Sequence, residues 1–127
     1  RERLDDRLAI FVGLDDLIVE GVHAGAVGWV AGLVNALPTE SIRLFALATD
    51  RNVQETRALY DWFLPLLRLD TVPKFVQLIK LVQQEVGRGS ERVRPPRLVL
   101  AGAERDDALA LIRHQLSSAG HETQPAR

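Results

Sequence analysis

The chain has 127 residues, with 16 Lys and Arg against 17 Asp and Glu and a formal net charge of −1. That near-balance argues against a nucleic-acid binder, which shows a basic surplus or stripe, and the lack of cysteine excludes disulfides, thiolate metal sites and cysteine nucleophiles. An apolar fraction of 46% suits one globular domain, while no apolar run reaches the roughly 18 residues of a membrane span and no signal-peptide pattern opens the chain.

Arg1-Glu2-Arg3-Leu4 read as mid-helix and methionine is absent even at position 1, which suggests a piece of a longer protein. Residues 8–13, Leu-Ala-Ile-Phe-Val-Gly, form an apolar run without polar alternation, the pattern of a parallel strand buried on both faces. Asp15 and Asp16 follow and can cap a helix over residues 16–24, because carboxylates accept bonds from the free N–H groups of a first turn. That helix carries Leu17, Ile18 and Val22 and ends near Gly25. Residues 27–34, Val-Gly-Trp-Val-Ala-Gly-Leu-Val, read as a second buried strand. Strand, helix, strand with short turns is a βαβ unit, for which parallel, right-handed pairing is expected.

Helices follow. Pro38 suits a first helical turn, and Ile42, Leu44, Phe45, Leu47 and Ala48 give that helix an apolar face. Asp50-Arg51-Asn52 breaks the pattern. A helix from about Val53 to Leu69 then carries Leu59, Trp62, Phe63, Leu66 and Leu67 at helical spacing, with a kink expected at Pro65. Thr71 is expected to cap a third helix with Pro73 near its start, Phe75, Leu78, Ile79 and Val82 on its apolar face, and a stop at Gly87. Residues 87–100, with two glycines and Pro95-Pro96, read as an extended connector. Glu104–Ser117 read as the last helix and 118–127 as a frayed tail. Two strands do not make a stable sheet alone, so the sequence implies missing neighbours.

Motifs in order along this path resemble one family. Phe11-Val12-Gly13-Leu14-Asp15-Asp16 and the run Gly25-Ala26-Val27-Gly28-Trp29-Val30-Ala31-Gly32-Leu33-Val34-Asn35 are similar to the last two strands of the dihydrodipicolinate synthase / N-acetylneuraminate lyase family. Pro38, Leu64-Pro65-Leu66, Val72-Pro73-Lys74 and Val93-Arg94-Pro95-Pro96-Arg97-Leu98 continue the likeness over residues 1–116. The resemblance implies an α/β fold, the C-terminal part of a (β/α)₈ barrel. Residues 1–69 would hold strands seven and eight with their helices, and 70–117 the appended C-terminal helices. It also implies a cytoplasmic, homotetrameric lyase that needs no cofactor and binds a 2-oxo acid, usually pyruvate, as a Schiff base on a lysine ending the sixth strand. Only the portion after that lysine is matched, so no catalytic residue is carried over, and the family's fifth-strand tyrosine and threonine-bearing loop have no counterpart.

Active sites of such barrels lie at the C-terminal ends of the strands. There the resemblance places Gly13, whose backbone would line the substrate pocket, and Val30 and Gly32, which would face the Schiff base. The alternatives are a tight turn at Gly13 and core packing at Val30 and Gly32. Asp15 and Asp16 match acidic positions that hold sugar hydroxyls in the neuraminate-lyase branch, a use suited to charge-assisted hydrogen bonds; helix capping is the alternative. Gly32 stands where that branch carries a hydroxyl side chain, which favours a smaller substrate. The substrate-binding candidates are therefore Gly13, Asp15, Val30 and Gly32.

Other groups read as structural. A Schiff-base lysine must be partly neutral, whereas Lys74, in a first turn after proline, and Lys80, on an exposed helix edge, read as solvated. His23, His114 and His121 are too scattered for a metal site. Gly21, Gly25, Gly28 and Gly32 lead into a strand instead of linking strand to helix, so the dinucleotide fingerprint fails. Trp62, Phe63, Leu66 and Leu67 form a core or subunit-interface stripe. Arg92, Arg94 and Arg97 around Pro95-Pro96 could bind an anion or stand as a solvated connector. The resemblance thus implies a class I lyase acting on pyruvate or a related 2-oxo acid. Leu69-Asp70-Thr71 and the connector from Gly87 to Arg94 lean towards the branch with pyrroline-hydroxycarboxylate deaminases. A catalytically inactive fragment or helical interaction module is the competing reading.

Overall fold

A computed structural model describes residues 7–118. Its elements run β1 (Phe11–Val12), α1 (Ile18–His23), β2 (Gly28–Trp29), α2 (Pro38–Thr49), α3 (Val53–Leu67), α4 (Phe75–Glu85) and α5 (Gly102–Ser118). Three single 3₁₀ turns, Asp15–Leu17, Leu33–Asn35 and Arg68–Thr71, sit between them. The expected helix at residues 1–4, His121 and the expected tail beyond Ser118 lie outside the described residues; Ser118 itself closes α5.

β1 and β2 pair in parallel, Phe11 opposite Gly28 and Val12 opposite Trp29. The strand–helix–strand unit is present, but its strands are far shorter than the apolar runs. Bonds from Val27 N–H to the Ile10 carbonyl (2.8 Å) and from Val30 N–H to the Val12 carbonyl (2.9 Å) extend the pairing slightly. The second run does not stay extended to residue 34, because Leu33–Asn35 coil into a 3₁₀ turn and drop Leu33 into the core. Nor are both faces buried: Leu8, Phe11, Val27 and Val30 are half or more exposed.

The helices follow the apolar periodicity more closely. α1 packs on α2, α2 on α3, and α5 on both α3 and α4. Leu44, Phe63, Leu66, Leu67, Leu81 and Ile112 interlock in the core with no exposed surface. Pro38 opens α2 as expected, although Ile42 points to solvent at 68% exposure. α3 ends at Leu67, before Leu69, and runs through Pro65. Thr71 does not cap α4. It closes the preceding 3₁₀ turn, its hydroxyl donating to the Arg68 carbonyl (2.9 Å), and Lys74 holds the N-cap position.

Three helices end in the same closure. After α1, α2 and α4 the chain passes through a left-handed residue at Gly25 (φ 96°), Arg51 (φ 56°) and Gly87 (φ 71°). The next N–H then reaches back five residues, Ala26 to Gly21, Asn52 to Leu47 and Arg88 to Gln83. This satisfies carbonyls left open at a helix end. Asn52 also starts α3: its side-chain oxygen accepts from the Glu55 N–H while its amide donates to the Glu55 carboxylate (2.9 Å).

Candidate functional site

Parallel pairing brings the C-terminal ends of β1 and β2 side by side, with Gly13 just past one strand and Val30 just past the other. Asp15 then crosses from the first chain segment to the second. Its Oδ1 accepts from the Trp29 indole Nε1–H (3.0 Å) and the Gly32 N–H (3.1 Å), and its Oδ2 from the Leu33 N–H (2.7 Å). The carboxylate is fully buried. Capping therefore occurs, but not of the helix that follows Asp15. Neither Asp15 nor Asp16 caps α1 or its leading turn; Asp15 caps the turn Leu33–Asn35, 18 residues downstream.

A second layer of acid groups backs this joint. Asp70 lies against Gly32, and the Asp15 backbone N–H supports the Asp70 carboxylate. Burial pushes the Asp15 carboxyl up from its ordinary value and the Asp70 charge adds to that, while the N–H groups of Leu33, Gly32 and Trp29 pull it back. Asp70 is also raised, by burial first and then by the charge of Asp16. On the other side Tyr60, from α3, hydrogen-bonds the Asp16 carbonyl and lies 3.0 Å from the Glu20 carboxylate. Burial, and then Glu20, push its phenol well above the usual range. At neutral pH it is a neutral donor that ties α3 to the loop after β1.

The glycines at the site differ in what they demand. Space beside Gly13 is open, with nothing within 4 Å of where a Cβ would stand, and its φ is not left-handed. Gly13 is thus not needed for a tight turn. At Gly32 a Cβ would stand 2.5 Å from Asp70 Oδ1 and 2.8 Å from Ile79 Cδ1, so its missing side chain lets Asp70 and α4 approach. Val30 is 69% exposed.

The structure brings Asp15 and Gly32 into direct contact, with Gly13 and Val30 at the same strand ends. A model of the dihydrodipicolinate synthetase family matches residues 1–115. The chain belongs to that family. Among solved structures, this dihydrodipicolinate synthetase family chain is similar to a candidate dihydrodipicolinate synthetase from Pseudomonas aeruginosa, with TM-score 0.78 and 25% identity, covering 91% of this chain and 40% of that one. It is likewise similar to dihydrodipicolinate synthase from Oceanobacillus iheyensis (TM-score 0.75, 23% identity, 87% and 38% covered). A monomeric dihydrodipicolinate synthase variant shares the fold at TM-score 0.77 and 19% identity, covering 94% of this chain and 38% of that one. No protein with a curated description matches the sequence. The chain spans about two fifths of the length of these solved structures.

Both lysines lie on or beside α4. Lys74 is ion-paired with Glu104 at 2.5 Å, and Lys80 is half-buried instead of lying on an exposed edge. His23 and His114 are exposed, and among the described residues no three metal-ligating side chains converge. Phe63, Leu66 and Leu67 fill the core, while Trp62 stacks on Phe63 and donates its indole N–H to the Gln115 carbonyl (2.9 Å). Trp29, Tyr60 and Asp70 belong to the site and were not singled out from the sequence. Tyr60 carried one usable signal: it lies three residues before Phe63, on the buried face of α3.

Proposed function

We propose that this chain is the C-terminal part of a (β/α)₈ barrel in a class I, Schiff-base lyase acting on pyruvate or a related 2-oxo acid. Residues 1–69 belong to the barrel and 70–117 to its appended helices. The observation that carries the reading is the parallel pair whose C-terminal ends are joined by Asp15, because substrates of such barrels bind at that end. Gly13 and Val30 are open on that side and present backbone and an apolar side chain to a small acid. Asp15 and Gly32 fix the loop that carries Val30. The imine-forming lysine lies outside these residues, since Lys74 is held by Glu104 and Lys80 faces the connector.

Borohydride reduction with pyruvate tests this. It is expected to label a longer protein containing the preceding strands and to leave the 127-residue chain unlabelled. Labelling on Lys74 or Lys80 would overturn the assignment, and no labelling of the longer protein would favour a catalytically inactive member. The branch with pyrroline-hydroxycarboxylate deaminases is the favoured one within the family, and turnover of that substrate by the longer protein checks it. Assembly as a cytoplasmic homo-oligomer is part of the same proposal.

A further inference from the structure

The C-terminal third of the chain carries a charge imbalance that the proposed chemistry does not use. Residues 74–118 hold eight Lys and Arg against five Asp and Glu, whereas residues 7–73 hold five against eight. Within the basic stretch three carboxylates are already neutralised. Glu91 holds Arg105 (2.8 Å), Glu85 holds Arg113 (2.6 Å) and Glu104 holds Lys74 (2.5 Å). Besides Arg88, four other cations, Lys80, Arg92, Arg94 and Arg97, have no ion-pair partner among the described residues.

These four line one cavity of about 470 Å³ between α4 and the connector. The Ser90 side chain joins them, and Val76 and Val93 supply apolar wall. Val76 and Lys80 lie one turn apart on α4, so they share a face. The volume is in the range of small-molecule sites, which pair apolar lining with a few convergent polar groups. Like charges gathered without counter-charge repel one another, and an anion in their midst relieves that. Arginines suit the role because the guanidinium fork meets phosphate or carboxylate oxygens two at a time.

We propose that this cavity binds a small polyanion, one bearing phosphate or several carboxylates. Its partners are Arg92, Arg94 and Arg97 from the connector and Lys80 from α4, with Ser90 as a neutral hydroxyl partner. A nucleic acid fits less well, since the 127-residue chain carries a net charge of −1.

Equilibrium dialysis of labelled pyrophosphate and of citrate against the 127-residue chain, at fixed ionic strength, tests the proposal. One saturable site per chain is expected, and the tighter of the two probes distinguishes phosphate from carboxylate recognition. The double variant Arg94→Gln/Arg97→Gln should bind roughly tenfold or more weakly, as expected when charge-assisted bonds are removed. Arg57→Gln, on the exposed outer face of α3, should bind as the parent does. Hydrogen exchange gives a readout that needs no substitution: pyrophosphate or citrate should slow exchange across residues 88–98. Non-saturating uptake, equal weakening by Arg57→Gln, unchanged exchange in the connector, or an RNA oligomer that pyrophosphate does not displace would each overturn it.

Discussion

Replacing Asp15 with alanine strips the acceptor from three donors at once: the Trp29 indole, the Gly32 N–H and the Leu33 N–H. The Leu33 bond is buried and the other two are partly so, which sets how far water can compensate. A buried donor left without a partner costs about 1–3 kcal/mol, and two half-buried donors add less each, so the loss should be about 2–5 kcal/mol. Relief of repulsion with Asp70 offsets part of this. Against a total stability of about 5–15 kcal/mol such a change is large. Asp15→Asn is milder. Its carbonyl oxygen can keep the Trp29 and Gly32 bonds, but its NH₂ then opposes the Leu33 N–H, leaving one buried mismatch of about 1–3 kcal/mol. Urea unfolding followed by fluorescence of Trp29 and Trp62 measures both variants. The expected order is parent, then Asn, then Ala. An alanine variant within about 0.5 kcal/mol of the parent, the spread of ordinary surface substitutions, would refute the role given to Asp15.

Four further outcomes are expected. Asp15 and Asp70 have carboxyls raised in the folded state, so the folded chain binds more protons than the unfolded one above the ordinary carboxylate value; stability should fall as pH rises from about 4 through those raised values. Asp70→Asn keeps an acceptor for the Asp15 N–H and removes a charge, so melting curves between about pH 4 and about pH 8 should flatten and the neutral-pH midpoint should rise; a steeper profile would contradict this. Arg51 holds a left-handed conformation that costs a side-chain residue about 1 kcal/mol or more, so Arg51→Gly should stabilise by up to about 1 kcal/mol, and a lower denaturation midpoint would count against it. Leu8, Phe11, Val27 and Val30 are exposed beside strand edges that bond to nothing further among the described residues, so the isolated chain should self-associate; a monomer in sedimentation with strong amide protection at Phe11, Val12 and Trp29 would show the unit to be self-sufficient.

Local signals were legible in the sequence and long-range ones were not. Pro38, Gly25 and Gly87 announce a helix start and two helix stops through their own backbone restrictions, and the structure uses each that way. Arg51 makes the same closure without any such mark, because hydrogen bonds from Arg51 and Asn52 back to α2 impose the strained angle. Apolar runs gave strand positions but not strand lengths, since an extended segment counts as a strand only where a partner bonds to it. Asp15 shows the limit best. A carboxylate before a helix reads as that helix's cap, yet here it turns towards Leu33, and nothing near Asp15 in sequence records where Leu33 will lie. Asp70 and Tyr60 stayed hidden for the same reason, reaching the joint from 55 and 44 residues away.

The joint at Asp15 also bears on how this part of the fold can change over time. Asp15 grips the second loop through the main-chain N–H groups of Gly32 and Leu33, which every residue except proline supplies. The Val30 side chain, 69% exposed, has no share in that grip. Position 30 is therefore free to drift in size and polarity while the loop keeps its place, and Gly13, with open space around it, has the same latitude. Gly32 does not, because Asp70 and Ile79 close on it. A library that randomises positions 13 and 30 and spares 15 and 32 would sample new surface chemistry on an unchanged frame, a division between variable and fixed residues that lets a lineage acquire new ligands without refolding.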